Sequence, residues 1–137
     1  MERSDEIRDV MLRYYEAAQG GYGEAGSAFV SQRPGVVVIG SDPGEIWDGA
    51  SYNRAMQAQA EAMGGAIPVF PGNLQAFREG SVAWAIDQPV FRIGDEEQLG
   101  TRATVILHQE GEEWKIVHLH LSVGVANDEA FGFELPE

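Results

Sequence analysis

Two histidines stand two residues apart in the segment WKIVHLHLSVG, residues 114–124. Side chains two apart on a β-strand point to the same side, so the imidazoles of His118 and His120 should face one way. Imidazole is a common metal ligand, and a catalytic metal takes about three protein ligands, for which His108 is the further candidate. Short patterns of this kind often arise without a metal. We therefore expect no metal here and interpret the histidines as part of a sheet face.

Alternation divides this last strand into two faces. The first face is wholly apolar and should pack on the helices; it carries Val117, Leu119, Leu121 and Val123. The second face mixes large flat groups with hydrogen-bonding tips; it carries Trp114, Ile116, His118, His120 and Ser122. A mixed face suits a hydrated protein–protein interface better than a dry core. We predict that these five residues form a dimer interface.

Asp87 is the candidate for acid–base chemistry. It lies inside an otherwise apolar strand, residues 83–91, and Arg102 lies on the strand that follows the GDEEQ turn. A buried carboxylate could act as a general acid or base, with Tyr14 of the first helix as its hydroxyl partner. The alternative, which we favour, is a cross-strand ion pair between Asp87 and Arg102 that fixes the register. The sequence thus identifies no catalytic residue beyond these candidates.

Composition narrows the possible partners. The chain has 137 residues, which fits one domain spanning residues 1–137, and its net charge is −13 with Lys115 as the only lysine. Nucleic acids and anionic membranes require a basic face, so we expect neither as a partner. Without cysteine there is no disulfide or thiolate metal site. The charged start MERSDEIRDV resembles no targeting signal, and we expect a cytoplasmic protein.

Hydrophobic periodicity predicts helices first and then strands. Helices are expected at residues 4–19, with Ser4 as the cap, at 24–31, and at 50–63, with Asp48 or Ser51 as the cap. Strands are expected at residues 35–43, 66–78, 81–93, 99–109 and 113–124, the later ones joined by short acidic turns. This order predicts an α+β domain in which a curved antiparallel sheet wraps around the N-terminal helices.

Four segments carry a resemblance to a known family. They are IGSDPGEIWDG (39–49), SVAWAIDQPVF (81–91), TRATVILHQEGEEWKIVHLHLSVG (101–124) and NDEAFG (127–132). In order and pattern they resemble SnoaL-like domains, members of the cone-shaped α+β superfamily of nuclear transport factor two and ketosteroid isomerase. His108, Trp114, His118, His120 and Ser122 are also similar to the association (hub) domain of calcium/calmodulin-dependent kinase II. The resemblance implies a cone-shaped α+β barrel and a homodimer formed through the convex face of its sheet.

The resemblance also implies a pocket inside the cone. Leu121 and Val105 stand where the hub domain has pocket arginines, which argues against a small carboxylate as the ligand. We expect an apolar pocket lined by Tyr14, Trp47, Met56, Leu119 and Leu121, with Trp47 either a lid or an anchor for its loop.

Three functions remain open. The sequence favours a noncatalytic, dimeric domain that binds a small, largely apolar molecule without a cofactor. The alternatives are an isomerase- or cyclase-type enzyme that uses Asp87 as general acid or base, and an oligomerisation module like the kinase hub domain.

Overall fold

A computed structural model describes residues 2–134 and 136 of the chain. The helices of this part are α1 (Asp5–Gln19), α2 (Gly23–Ser27), α3 (Gly49–Ala62) and α4 (Asn127–Phe131). The strands are β1 (Glu2–Arg3), β2 (Val37–Ile39), β3 (Ile46–Trp47), β4 (Val69–Phe70), β5 (Gln75–Glu79), β6 (Val82–Asp87), β7 (Val90–Ile93), β8 (Glu96–Gln98), β9 (Thr101–Glu110) and β10 (Glu113–Val123). Helices precede a long run of strands, as the sequence predicts.

Both long helices begin at a side-chain cap. The Ser4 Oγ accepts a hydrogen bond from the backbone N of Ile7 at 3.2 Å, so the predicted cap of α1 is confirmed. At α3 the cap is Asp48, whose Oδ1 accepts a hydrogen bond from the backbone N of Ser51 at 2.8 Å. The hydrogen bonds from Ser51 lower the pKa of Asp48. Of the two caps that the sequence suggested for α3, Asp48 and Ser51, the structure has Asp48.

The sheet is curved and open. One sheet has seven strands in the order β1-β5-β6-β9-β10-β2-β3, and β4, β7 and β8 form a second, three-stranded sheet. The edge strands β1 and β3 do not pair with each other, so the larger sheet does not close into a complete barrel. All neighbours are antiparallel except β2, which runs parallel to β10. The predicted α+β class is confirmed.

Two of the predicted strands are each split into shorter ones. The region 66–78 contains β4 and β5, and the region 81–93 contains β6 and β7 with Pro89 between them. Proline has no backbone N–H to give to a sheet, so pairing stops there and the chain passes into the second sheet. The alternation of apolar residues did not predict this change of sheet, because apolar residues occur in both parts of each predicted strand.

The core lies between α1 and the concave side of the larger sheet. The buried stripe of α1 contains Ile7, Val10, Met11, Tyr14, Tyr15 and Ala18. It packs against β4, β5 and β6, whose inward residues include Ala76, Ala83 and Ala85. Small side chains on the strands let the helix approach the sheet closely. No helix in residues 2–134 combines the length and apolar character needed to cross a membrane.

A β-bulge at Val117 breaks the alternation of β10. The pairing of β10 with β9 shifts register between Ile116 and His118. Val117 is therefore an extra residue of β10 that has no pairing partner on β9. Trp114 and Ile116 therefore point inward and are 7% and 0% exposed, respectively. Their predicted place on the same face as His118 is wrong. After the bulge, Leu119 and Leu121 point inward, while His118, His120 and Ser122 keep the outward direction.

Candidate ligand cavity

One apolar cavity opens inside the cone. It has a volume of about 340 Å³, and residues of α1, α3, β2, β3, β7, β9 and β10 line it. Ligand pockets commonly have volumes of roughly 300–1,000 Å³. All five residues expected around a pocket line this cavity: Tyr14, Trp47, Met56, Leu119 and Leu121. Leu119 and Leu121 follow the bulge in β10. Their side chains point inward there, as the sequence predicted.

Tyrosine hydroxyls form a connected chain in the cavity wall. The hydroxyl oxygens of Tyr14 and Tyr52 are 2.5 Å apart, and those of Tyr14 and Tyr22 are 3.3 Å apart. Tyr22 in turn donates to the Oδ1 of Asn53 at 2.7 Å. Three helices thus meet at one hydrogen-bonded group. Because each phenol needs a partner when it is buried, these bonds fix the rings and the helices that carry them.

Burial keeps these hydroxyls protonated. Desolvation raises the pKa of Tyr14 well above its ordinary value of 10.0 and also raises the pKa of Tyr22. Desolvation raises the pKa of Tyr52 to about 12, with the hydrogen bond to Tyr14 acting in the opposite direction. At neutral pH the tyrosine end of the cavity is therefore uncharged, polar and fixed in position.

Trp47 and Glu45 come from β3 and its approach. Trp47 lines the cavity and packs on Tyr52, with ring centroids 5.8 Å apart and ring planes at 49°. Among the described residues of the wall, Glu45 is the single charged one, and none of them is a lysine, arginine or histidine. Glu45, Tyr22 and Tyr52 are residues of the cavity wall that were not predicted from the sequence. Alternation in the short segment EIW was the available signal, since it places Glu45 and Trp47 on one side.

Asp87 lies behind the cavity wall and does not line it. It is 2% exposed, and its carboxylate accepts hydrogen bonds from the Tyr15 hydroxyl at 2.7 Å and from the backbone N atoms of Gly72 and Gln88 at 3.1 and 2.8 Å. Desolvation raises the pKa of Tyr15, and the hydrogen bond to Asp87 raises it further. A Cβ atom on Gly72 would stand 2.0 Å from the Gln88 oxygen, so only glycine fits this close approach.

The expected pairing of Asp87 with Arg102 is wrong. Asp87 pairs with Ala103 in the β6–β9 register, so the neighbouring Arg102 points to the opposite side of the sheet and is exposed. Tyr14 does not contact Asp87 either, because its hydroxyl bonds the other two tyrosines. The three residues named for acid–base chemistry are therefore not brought together. Asp87 is linked to the cavity wall by its hydrogen bond with Tyr15, which lines the cavity.

The convex side of the sheet carries the remaining predicted residues. We define the outer face as nine of the outward side chains of the central strands β6, β9 and β10: Val82, Trp84, Ile86, Arg102, Thr104, Ile106, His118, His120 and Ser122. The ring centroids of His118 and His120 are 6.4 Å apart. The Nδ1 of His118 lies 2.7 Å from the backbone oxygen of Val37. Among the described residues, no three His, Cys, Asp or Glu side chains are grouped to hold a metal.

Comparison with solved structures shows the fold. An NTF2-like protein of unknown function from Pseudomonas putida KT2440 has a TM-score of 0.78 at 20% identity, with 96% of this chain and 94% of that chain covered. A structure provisionally named the association domain of a calcium/calmodulin-dependent protein kinase type II, from Thiobacillus denitrificans, has a TM-score of 0.72 at 18% identity, covering 85% and 93%. A protein provisionally named a ketosteroid isomerase, from Shewanella frigidimarina, has a TM-score of 0.67 at 18% identity, covering 86% and 96%.

The family follows from the sequence itself. A search of curated proteins found no match. The model of the SnoaL-like domain family matches residues 7–126, which include α1, the cavity wall and the whole of the central sheet. This span is most of the chain, and it confirms the resemblance drawn from the four sequence segments. The chain belongs to the family of SnoaL-like domains.

Proposed function

We propose that this domain binds a small, largely apolar molecule in the cavity. The observation that carries the proposal is the cavity itself: about 340 Å³ of space among apolar and aromatic side chains, with tyrosine hydroxyls fixed at one end. A wall of this composition favours apolar ligands through the hydrophobic effect, and a few fixed polar groups orient them. A filled core would have no such space, because protein interiors are otherwise densely packed.

We further propose that two copies associate through the outer face. A continuous cross-strand row runs over five strands and contains Phe77, Trp84, Ile106, His118 and Val37. Val82, Ile86 and Ile106 are exposed apolar residues on this face. None of the nine residues that define the outer face is acidic, although the same side of β9 continues through His108 to Glu110 and the chain carries a net charge of −13. Two copies can therefore approach there with little charge repulsion, and apolar area is available to bury.

Filling the cavity tests the ligand-binding proposal. N-phenyl-1-naphthylamine, a neutral fluorescent probe, should bind to the wild-type protein with enhanced emission. Leu121→Trp places a large ring in the cavity and should weaken probe binding by about tenfold or more, since that ring occupies the ligand's space. Ile46→Trp is the matched control, because Ile46 is 67% exposed and does not line the cavity.

The readout is a fluorescence titration at one protein concentration, with circular dichroism confirming that each variant is folded. Equal probe affinity in the wild type and in Leu121→Trp would show that the cavity is not the binding site. Absence of probe binding to the wild type would contradict the proposal that the cavity is open to apolar ligands.

A further inference from the structure

We propose that the ligand carries a protonated amine, which binds to the Glu45 carboxylate beside the Trp47 ring while the apolar body of the ligand fills the cavity. This inference rests on the proposed ligand-binding function and narrows it to a class of ligand: a cationic amphiphile.

The charges of the cavity wall exclude anions and favour cations. Glu45 is the single charged residue among the lining residues, which include no lysine, arginine or histidine. Glu45 is also partly buried, so water screens its charge less than it would on an open surface. An anionic ligand would therefore be repelled from this wall, and a neutral ligand would leave the negative charge of Glu45 uncompensated.

The local backbone aims Glu45 at the cavity. Ile46 is 67% exposed and points away, so alternation places Glu45 and Trp47 side by side on the cavity side. Gly40, on the neighbouring strand end, makes room for the Glu45 side chain: a Cβ atom at Gly40 would stand 2.6 Å from Oε1. This oxygen accepts a hydrogen bond from the backbone N of Asp42 at 2.9 Å. Among the described residues, none donates a hydrogen bond to Oε2, which leaves this oxygen able to accept one from a ligand.

Aromatic rings line the same cavity as that carboxylate. Trp47 and Tyr52 line the same part of the wall, with ring centroids 5.8 Å apart. The faces of such rings attract cations, and tryptophan does so most strongly. A carboxylate and an indole ring in one cavity wall are a combination that can recognise an ammonium group.

The tyrosine chain offers acceptors to the ligand as well. Tyr22 donates its proton to Asn53, so the bond between Tyr14 and Tyr22 needs the proton of Tyr14. The bond between Tyr52 and Tyr14 then needs the proton of Tyr52. Each hydroxyl has one proton, and all three are used within the chain. The oxygen of Tyr52 keeps its lone pairs, so this end of the cavity also matches a ligand that donates hydrogen bonds.

Acidic side chains lie close in sequence to several residues of the cavity wall. Asp42 lies on the turn between β2 and β3, and Asp95 and Glu96 lie at the turn between β7 and β8; all three are exposed. Two residues of the strands that flank the second turn, Ile93 of β7 and Gln98 of β8, line the cavity. Negative charge around an opening raises the local concentration of cations and speeds their association.

Three probes with one apolar body test the inference: 4-phenylbutylamine, 4-phenylbutanol and 4-phenylbutyrate. Isothermal titration calorimetry at neutral pH and low salt measures each against the wild-type protein. We expect the amine to bind about tenfold or more tightly than the alcohol, and the carboxylate to bind more weakly than either. Glu45→Gln keeps the shape of the side chain and an acceptor for the Asp42 N–H, so it should remove the advantage of the amine and leave the alcohol unchanged.

Two further variants test whether the preference for the amine depends on residues of the cavity or on net charge alone. Glu16→Gln makes the same change of net charge on the exposed side of α1, and the amine should retain its full advantage there. Trp47→Leu keeps an apolar contact without the aromatic face, and it should weaken the amine more than the alcohol.

The outcomes distinguish the two proposals. Equal binding of amine and alcohol to the wild type, or an equal loss of both in Glu45→Gln, would overturn the amine inference and leave apolar ligand binding intact. Preferential binding of the carboxylate would also overturn it. If none of the three probes binds, and N-phenyl-1-naphthylamine does not bind either, the ligand-binding proposal falls together with the inference.

Discussion

At the scale of single residues, the four tyrosines of the chain share one property: all of them are buried. The Tyr14 hydroxyl is hydrogen-bonded to the hydroxyls of both Tyr22 and Tyr52, and Tyr15 donates to Asp87. Removal from water raises the pKa of each phenol, because the ionised form loses its hydration. The same residues that fix the polar end of the cavity thereby make the fold sensitive to alkaline pH.

The pH dependence has a definite sign. A phenol whose pKa is higher in the folded state contributes its full stability below the unfolded value of 10.0 and loses it as the pH rises toward the folded value, which for Tyr52 is about 12. Each such tyrosine lowers the free energy of unfolding by about 1.4 kcal/mol per pH unit across that window. Tyr52→Phe should reduce the slope by about this amount, because one titrating group is absent.

Urea unfolding at several alkaline pH values measures that slope, and tyrosinate absorbance follows ionisation directly. Since the chain has one lysine and no cysteine, few other groups titrate in this range. Tyrosine ionisation at the ordinary pKa, in protein that circular dichroism shows to be folded, would contradict the buried hydrogen-bonded arrangement.

At the scale of elements, the bulge in β10 decides which residues belong to the core. Before Val117 the inward residues are Trp114 and Ile116, and after it they are Leu119 and Leu121. The Trp114 Nε1 donates to the Glu6 carboxylate at 2.7 Å, and the Arg78 guanidinium lies 4.9 Å from the indole centroid. Trp114 thus ties β10 to α1 and β5 and is not available on the outer face.

Alanine substitutions on either side of the bulge should differ in their effect on stability. Ile116→Ala removes a side chain that is 0% exposed and should lower the free energy of unfolding by about 2–5 kcal/mol. His118→Ala removes an outward side chain and its contact with the Val37 oxygen, and it should lower that free energy by about 1 kcal/mol. Equilibrium urea unfolding at one protein concentration compares them. Equal losses would support an unbroken alternation and argue against the bulge.

At the scale of the whole molecule, the strong negative charge and the outer face act together. The net charge of −13 opposes association wherever acidic residues face each other. The outer face lacks them and exposes Val82, Ile86 and Ile106, so it is where association is least opposed. The predicted interface keeps His118, His120 and Ser122 but loses Trp114 and Ile116, which are buried within one chain.

Native mass spectrometry of the freshly purified protein measures the association. We expect a dimer for the wild type and a monomer for Ile106→Asp, because the new charge would be buried against the partner copy. Leu99→Asp is the matched control: Leu99 is 72% exposed in the turn before β9 and lies off the outer face, so this variant should stay dimeric. A wild-type monomer, or a dimer unaffected by Ile106→Asp, would contradict the proposed interface. The same spectra would detect any small molecule that remains bound.

Local pattern was sufficient for the class of fold. Apolar periodicity and the caps at Ser4 and Asp48 place the helices, and alternation places the strands, because each of these signals depends on neighbours in the chain. The inward direction of Leu119 and Leu121 follows in the same way. Composition alone also shows that the chain has few cationic groups, which argues against nucleic acid as a partner.

Only the tertiary structure decided what the site contains. The bulge at Val117 depends on how β10 pairs with β9 and β2, which no single strand specifies. Asp87 finds Tyr15, a residue 72 positions away, in place of Arg102, because the register turns that arginine outward. Glu45 enters the cavity wall through a close approach to Gly40. Each of these contacts joins residues distant in the chain or depends on backbone geometry, and sequence spacing carries neither kind of information.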